Sequence, residues 1–354
     1  MQLKLSGPTT DRRANILAHL QEFGEKCSDN TIKLDDLHLG YDGDRYHLKM
    51  GAECLPLDLS SHAELQLLAR LKIPAAYFHR CPGNLQHSQL KHWLHTATNK
   101  DKEMVFRMIR PNLARAVVSQ RYVAMDDLNI MPLILDTLSA KTDLHIRSFY
   151  KDNDFTLLRS LFTEMMVTSP NDSERHYWAG VEVCNSETGM SALWIAPLIR
   201  TGSRSTARAY DLVDRHGIAA GTRLLHINQK EPATIQIAIE LALKTAQAAI
   251  AHLITLETEV VTNPSVFILD WTKQADFLPN RLMNILAEEY EAQQEATKLA
   301  IAERILEAVK NLPVFTKRLA EAEVGRFLHL FQDTEERIQG LVEVFQQVQT
   351  VEPQ

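Results

Sequence analysis

The chain has 354 residues, 45% of them hydrophobic and 23% charged, with a formal net charge of −7. Such a composition excludes a disordered, collagen-like or disulfide-scaffold polypeptide and leaves room for about two domains of ordinary size. The cysteines Cys27, Cys54, Cys81 and Cys184 form no CxxC pair, no apolar run approaches the roughly 18 residues that span a bilayer, and Met1–Thr10 lacks the apolar centre of a secretory leader, so a cytoplasmic protein is expected.

In chain order, Leu34–Leu39 and Tyr46–Met50 flank the turn former Tyr41-Asp42-Gly43-Asp44 and predict a hairpin. Ser60 or Ser61 offers an N-cap, and the spacing of Leu65, Leu67, Leu68 and Leu71 predicts a short helix ended by Ile73-Pro74. Ser88–His95 predicts a second one. Arg115–Met125 is rich in β-formers and reads as a strand. Asp126-Asp127 opens a helix running through Leu138, with Leu128, Met131, Leu135 and Leu138 on one face and Pro132 inside it; the two carboxylates serve capping and the helix dipole. Leu144–Tyr150 and Phe155–Leu161 flank the polar turn Lys151-Asp152-Asn153-Asp154. Tyr177–Cys184 and Met190–Ile199 flank Asn185-Ser186-Glu187-Thr188-Gly189, a tight turn in which Gly189 suits positive φ. From Thr234 onward the pattern is helical. Ile235–Leu256 carries the stripe Ile237, Leu241, Thr245, Ala248 and Leu253, a long helix covers roughly Asn280–Asn311, and Glu321–Val348 closes the chain. The fold class is therefore α+β, an antiparallel, hairpin-rich sheet with packed helices followed by a helical region. Its parts are a mixed region over 1–105, a sheet core over 106–230 and an acidic helical region over 231–354.

Charge is unevenly spread. From Arg70 to Arg121 ten basic side chains face only Asp101 and Glu103, whereas after Lys230 ten basic side chains face nineteen acidic ones. Such a field draws phosphate to one end while the acidic end keeps the protein in solution. No Walker loop, Rossmann fingerprint, HExxH or GxSxG motif occurs. His92 and His95 stand three apart without a third ligand, and Asp211, Asp214 and His216 lie beside Arg208 and Arg215, a pattern better read as a salt-bridged helix than as a metal site. No cofactor or metal is expected.

The basic stretches carry the chemistry. Arg107, Arg110, Arg115 and Arg121 run into the central strand with Tyr122 behind them. On a regular strand Arg115, Ser119 and Arg121 share one face, where guanidinium forks can track a phosphate backbone. Arg200, Arg204 and Arg208 add a second cluster, Arg204 and Arg208 being four apart as on a helix. Arginines with an occasional aromatic suit single-stranded nucleic acid.

Four segments in fixed order carry a resemblance over Leu65–Gly217. They are Leu71-Lys72-Ile73-Pro74 with Tyr77, then Leu90-Lys91-His92-Trp93-Leu94, then Arg115-Ala116-Val117-Val118-Ser119-Gln120-Arg121-Tyr122, and Gly180–Gly189 with its Asn-Ser-Glu-Thr-Gly turn. Together they resemble an uncharacterised prokaryotic family found widely in phage and plasmid genomes and known as a domain of unknown function. Members commonly carry Cys-Asn-Gly after the hairpin, where this chain reads Arg200-Thr201-Gly202-Ser203-Arg204, and His216-Gly217 is similar to the family's later His-Gly. The resemblance implies a mobile-element setting and supplies no catalytic residue. The resulting expectation is a non-enzymatic protein binding single-stranded DNA on a basic sheet face. The alternatives are an interaction protein that forms a homo-oligomer through its acidic C-terminal helices, and a metal-dependent enzyme acting on nucleotides or nucleic acid at Asp211, Asp214 and His216.

Overall fold

A computed structural model describes residues 2–3, 8–50, 56–96, 99, 101–110, 112–141, 143–203, 208–214, 222–224, 232–274 and 279–331. The chain opens with strand β1 (Gln2–Leu3) and helix α1 (Thr9–Gly24). Strands β2 (Cys27–Lys33), β3 (Leu37–Tyr41), β4 (Tyr46–Met50) and β5 (Pro56–Leu59) lead into helices α2 (Ser61–Arg70), α3 (Ala75–Phe78) and α4 (Gly83–Leu94). Strands β6 (Glu103–Ile109) and β7 (Leu113–Ser119) then complete a sheet of order β2-β6-β7-β5-β4-β3. Its pairs are antiparallel except β5–β7, which is parallel.

The first hairpin forms with Gly43 at φ 101° in its turn, but its first arm is Leu37–Tyr41, because Leu34–Asp36 of the expected strand is a 3-10 turn. Ser60 is the α2 cap and accepts from the Ala63 N–H at 3.1 Å. Helix α2 also covers the β7 edge that β5 leaves open: Gln66 accepts from the Val117 N–H, and Arg70 donates to the Val117 carbonyl. An edge sealed in this way cannot recruit a foreign strand. The core of this layer packs Phe106, Met104, Met108 and Val117 of the sheet against Leu67, Leu68, Phe78, Leu90 and Leu94 of the helices. Strand β6 was not read from the sequence, and the Arg115–Met125 strand is shorter than expected, ending at Ser119.

Helix α5 (Asp127–Ser139) precedes the central sheet of β8 (Leu144–Lys151), β9 (Thr156–Thr168), β10 (Arg175–Asn185), β11 (Leu193–Ser203), β12 (Arg208–Val213) and β13 (Thr222–Leu224). Its order is β1-β8-β9-β10-β11-β12, with β13 also on β11. Both predicted hairpins are present, and Gly189 takes φ 77°. Helix α5 buries Ile130, Met131, Ile134, Leu135 and Leu138, with Pro132 tolerated inside it. Arg208 lies in a strand paired with Ser203, so the helix expected around Arg204 and Arg208 is corrected to a hairpin arm; Arg204 itself lies outside the described residues. Asp211 likewise sits in β12, not on a helix, and His216 lies outside the described residues.

The remainder comprises α6 (Pro232–Thr255), β14 (Val260–Thr262), α7 (Pro264–Gln274), α8 (Asn280–Glu289), β15 (Glu295–Thr297), α9 (Lys298–Val309) and α10 (Val314–Phe327). The single helix expected over Asn280–Asn311 is two helices, separated by β15, which pairs with β14. Of the final stretch expected over Glu321–Val348, the described part is helical to Phe327, and the positions from 332 onward lie outside the described residues. Contrary to the hydropathy expectation, Thr234–Thr255 is long and apolar enough to cross a membrane. In this fold its buried side is Ile235, Ala238, Ile239, Ala242, Leu243, Ala246, Ile250 and Leu253, packed over the central sheet; the predicted stripe is rotated, leaving Ala248 exposed.

Gly180 shows how closely β9 and β10 approach beside their bulge, since a Cβ there would lie 2.1 Å from the Ser160 carbonyl oxygen. Gly180→Ala is expected to destabilise the protein by about 1–3 kcal/mol through overpacking, read as a lower thermal midpoint.

Candidate functional site

The two sheets meet through charge. Strand β6 carries Arg107 opposite Asp29 of β2. The β6–β7 register slips between Arg107 and Met108, which pair with Ala116 and Ala114, so Arg115 is the extra residue of a bulge. A bulge re-aims its side chain, and Arg115 joins Arg107 at the β10–β11 turn instead of sharing an open face with Ser119 and Arg121. Arg107 Nε donates to Asp29 at 3.1 Å, Nη2 to Asp126 at 2.5 Å and Nη1 to the Glu187 carbonyl at 2.6 Å. Arg115 Nη1 donates to Glu187 Oε2 at 2.6 Å. Tyr122 donates its hydroxyl to the Glu187 carbonyl at 2.9 Å, and burial pushes its pKa up to about 12.

Glu187 is the hub. Lys151, at the end of β8, donates to Glu187 Oε2 at 3.0 Å and to Asp127 Oδ2 at 2.7 Å, and Glu187 Oε1 accepts the Asp127 N–H at 2.8 Å. A carboxylate from a distant turn thus satisfies a backbone donor at the start of α5, the task assigned from sequence to Asp126 and Asp127. Asp126 makes no side-chain cap and pairs with Arg107. Asp127, fully buried, accepts from Lys151, Thr156 and Asn185. Burial would raise the Glu187 pKa, but Lys151 and Arg115 outweigh it and hold the group at about 2; burial dominates at Asp127 and raises its pKa. Burial also opposes the Arg107 charge, yet Asp126 and Asp29 raise its pKa.

A second network lies on the central sheet under α10. Arg159 donates to Glu182 at 2.8 Å, to Asp211 at 3.1 Å and to Glu321 of α10 at 2.6 Å, and Arg318 donates to Glu182 at 2.6 Å. Arg200 donates to the same Asp211 at 2.7 Å, and the arginines around Asp211 outweigh its burial and hold its pKa at about 2. The candidate cation ligand Asp211 is therefore engaged by guanidinium groups. His95 pairs with Asp35 instead of with His92. Among the described residues no group of three or more His, Cys, Asp or Glu side chains is placed to hold a metal ion.

Placed on the structure, the predicted nucleic-acid residues fall into three sets. Arg107, Arg115 and Tyr122 converge on Glu187, with Arg107 and Arg115 only 3% and 2% exposed. Arg200 belongs to the Asp211 network. Arg110, in the left-handed region at φ 66° in the β6–β7 turn, and Arg121, beyond the other end of β7, are exposed but about 20 Å or more apart by strand rise; Arg208 is exposed on the other sheet. The single open basic sheet face expected from the sequence is not formed, because burial forced the inner arginines to take carboxylate partners.

Basic charge with free access lies instead on the helical layer. No acidic residue occurs between Glu64 and Asp101. Lys72, Arg80, Lys91 and His92 are exposed there, as are Tyr77 and Trp93. Acids reach two of its histidines: His79 lies 3.7 Å from Glu64, and His95 pairs with Asp35. In sequence Lys72 and Lys91 belong to the basic window, and Leu90, Trp93 and Leu94 share the inward spacing of a short helix; Leu90 and Leu94 are buried, but Trp93 is exposed. The signal that marks this surface is the missing counter-charge. Comparison with protein-family models, curated proteins and solved structures finds no match.

Glu187→Ala is expected to cost about 3–5 kcal/mol, since it leaves Arg115 and Lys151 buried around one lost carboxylate. The Glu187 pKa lies below its ordinary 4.5, so its stabilisation is complete above that pH and is lost as pH falls toward about 2. Acid titration of unfolding in urea should show this loss in the wild type and a flatter profile in Glu187→Gln.

Proposed function

We propose that this protein binds nucleic acid, single-stranded DNA foremost, on the outer side of α2–α4. The observation that carries this reading is the run without acidic residues, from which Lys72, Arg80 and Lys91 project into solvent and in which Tyr77 and Trp93 are also exposed. Cations give salt-dependent attraction to phosphate, and exposed aromatic faces stack on unpaired bases with little regard for sequence. Arg121 and the half-buried Arg70, near the Val117–Ser119 end of β7, extend the same charge, whereas Arg107, Arg115 and Arg200 act as structural cations. This role places the protein in the cytoplasm, in keeping with the phage and plasmid setting that the resemblance implies.

Fluorescence anisotropy with a labelled single strand should give affinity that weakens linearly with the logarithm of salt concentration. Replacing Lys72, Arg80 and Lys91 together by Ala should flatten that slope by about 2, at about 0.7 per phosphate contact. Trp93→Ala should cost about 1–3 kcal/mol through lost stacking. Absence of binding at low salt, or a triple variant that binds like the wild type, overturns the reading.

A second reading is favoured by one further observation. Val260 of β14, Val266 and Leu269 of α7 and Ile285 of α8 are large apolar side chains exposed in the acidic helical region, the composition of a self-association patch. Light scattering should then show an oligomer that dissociates when Val266 and Ile285 are both replaced by Lys, with no change in the helical circular dichroism signal.

A further inference from the structure

On the face of the first sheet opposite α2–α4, a cavity of about 300 Å³ opens between α1, β2, the β6–β7 hairpin and the start of α5. One wall is apolar, formed by Leu20, Phe23 and Leu128. The two ends of the polar lining differ. At the deep end lies Arg115, paired with Glu187, and Lys151 stands behind that carboxylate and Asp127. There Arg115 Nε, in a side chain 2% exposed and 5.5 Å from the Phe23 ring, makes no hydrogen bond. At the other end Asp29 and Asp126 share the single guanidinium of Arg107, and their side chains are 43% and 33% exposed, leaving an excess of negative charge.

We infer that this cavity binds a small zwitterion with an apolar body, of the free α-amino acid class. The ligand carboxylate supplies the acceptor that buried Arg115 Nε lacks, since an unmet buried donor is costly. Its ammonium group lies toward Asp29 and Asp126, and its side chain lies against Leu20, Phe23 and Leu128. A simple anion meets the two mouth carboxylates, and a simple cation leaves the Arg115 donor unmet, so neither matches both ends. The inference is independent of the nucleic-acid surface, and either can fail alone.

The test is thermal-shift and calorimetric titration of the full chain with phenylalanine and leucine. Phenylalaninamide, which lacks the carboxylate, and N-acetylphenylalanine, which lacks the ammonium, serve as matched probes. A saturable rise in melting temperature with the free amino acids is expected, together with binding at least about tenfold weaker for each blocked probe. Arg115→Gln should remove the preference for the carboxylate. Leu128→Trp fills the cavity from its apolar side without touching an ion pair; it should abolish binding, with circular dichroism checking that the variant is folded. The inference is overturned if neither amino acid binds at millimolar concentration or if Leu128→Trp binds unchanged. Equal binding of phenylalaninamide or of N-acetylphenylalanine also overturns it, pointing to a peptide N-terminus or C-terminus as the occupant.

Discussion

The Glu187 carboxylate is the constraint on which the arrangement of the two sheets depends. It sits in the β10–β11 turn and joins Arg115 of the first sheet, Lys151 of the central sheet and the first backbone N–H of α5. Each sheet has its own apolar core, one under α2–α4 and the other under α1, α5 and α6. Apolar burial is non-directional and permits many docking angles. A buried carboxylate with three fixed donors permits few, because any other placement leaves a charge without a partner. The network thereby sets how one layer sits on the other, more than it adds to total stability.

The same device recurs under α10. Arg159, central on its sheet, gathers Glu182, Asp211 and Glu321, and Arg318 returns from α10 to Glu182. Arg175 likewise donates to Glu303 of α9 at 2.5 Å. Glu321 and Glu303 of the C-terminal helices thus pair with Arg159 and Arg175 of the central strands, whereas Arg107 and Arg115 of the basic window take Asp29, Asp126 and Glu187. Replacing such pairs by apolar residues can be neutral in energy, but removing one member is not.

What was legible in the sequence was local. The hairpins around Gly43 and Gly189 were readable because strand alternation and turn chemistry act within a few residues, and the Ser60 cap because its partner lies three positions away. Strand β6 was masked by the basic window in which it lies. The break between α8 and α9 was hidden because helix formers continue through Tyr290–Thr297, where pairing with β14 wins over propensity. The bulge that turns Arg115 inward leaves no mark in composition. Least legible were the charge partners: Arg115 and Glu187 are 72 positions apart, and Arg159 and Glu321 are 162 apart. A run of arginines looks the same whether it faces solvent or a carboxylate folded over it.

That ambiguity is resolved by energy. Extracting Arg115 or Arg107 to meet a phosphate would strand Glu187 or Asp126, a cost of about 3–5 kcal/mol for a buried pair. One new charge-assisted hydrogen bond returns about 1.5–3 kcal/mol. The exchange is unfavourable, so a polyanion is left with cations that no carboxylate already holds. On the first layer these are Arg110 and Arg121 at the two ends of β7, and Lys72, Arg80 and Lys91 along α2–α4, where the chain goes from Glu64 to Asp101 without an acid. The inner face keeps its arginines in place, and the geometry they hold suits a ligand small enough to enter without disturbing them.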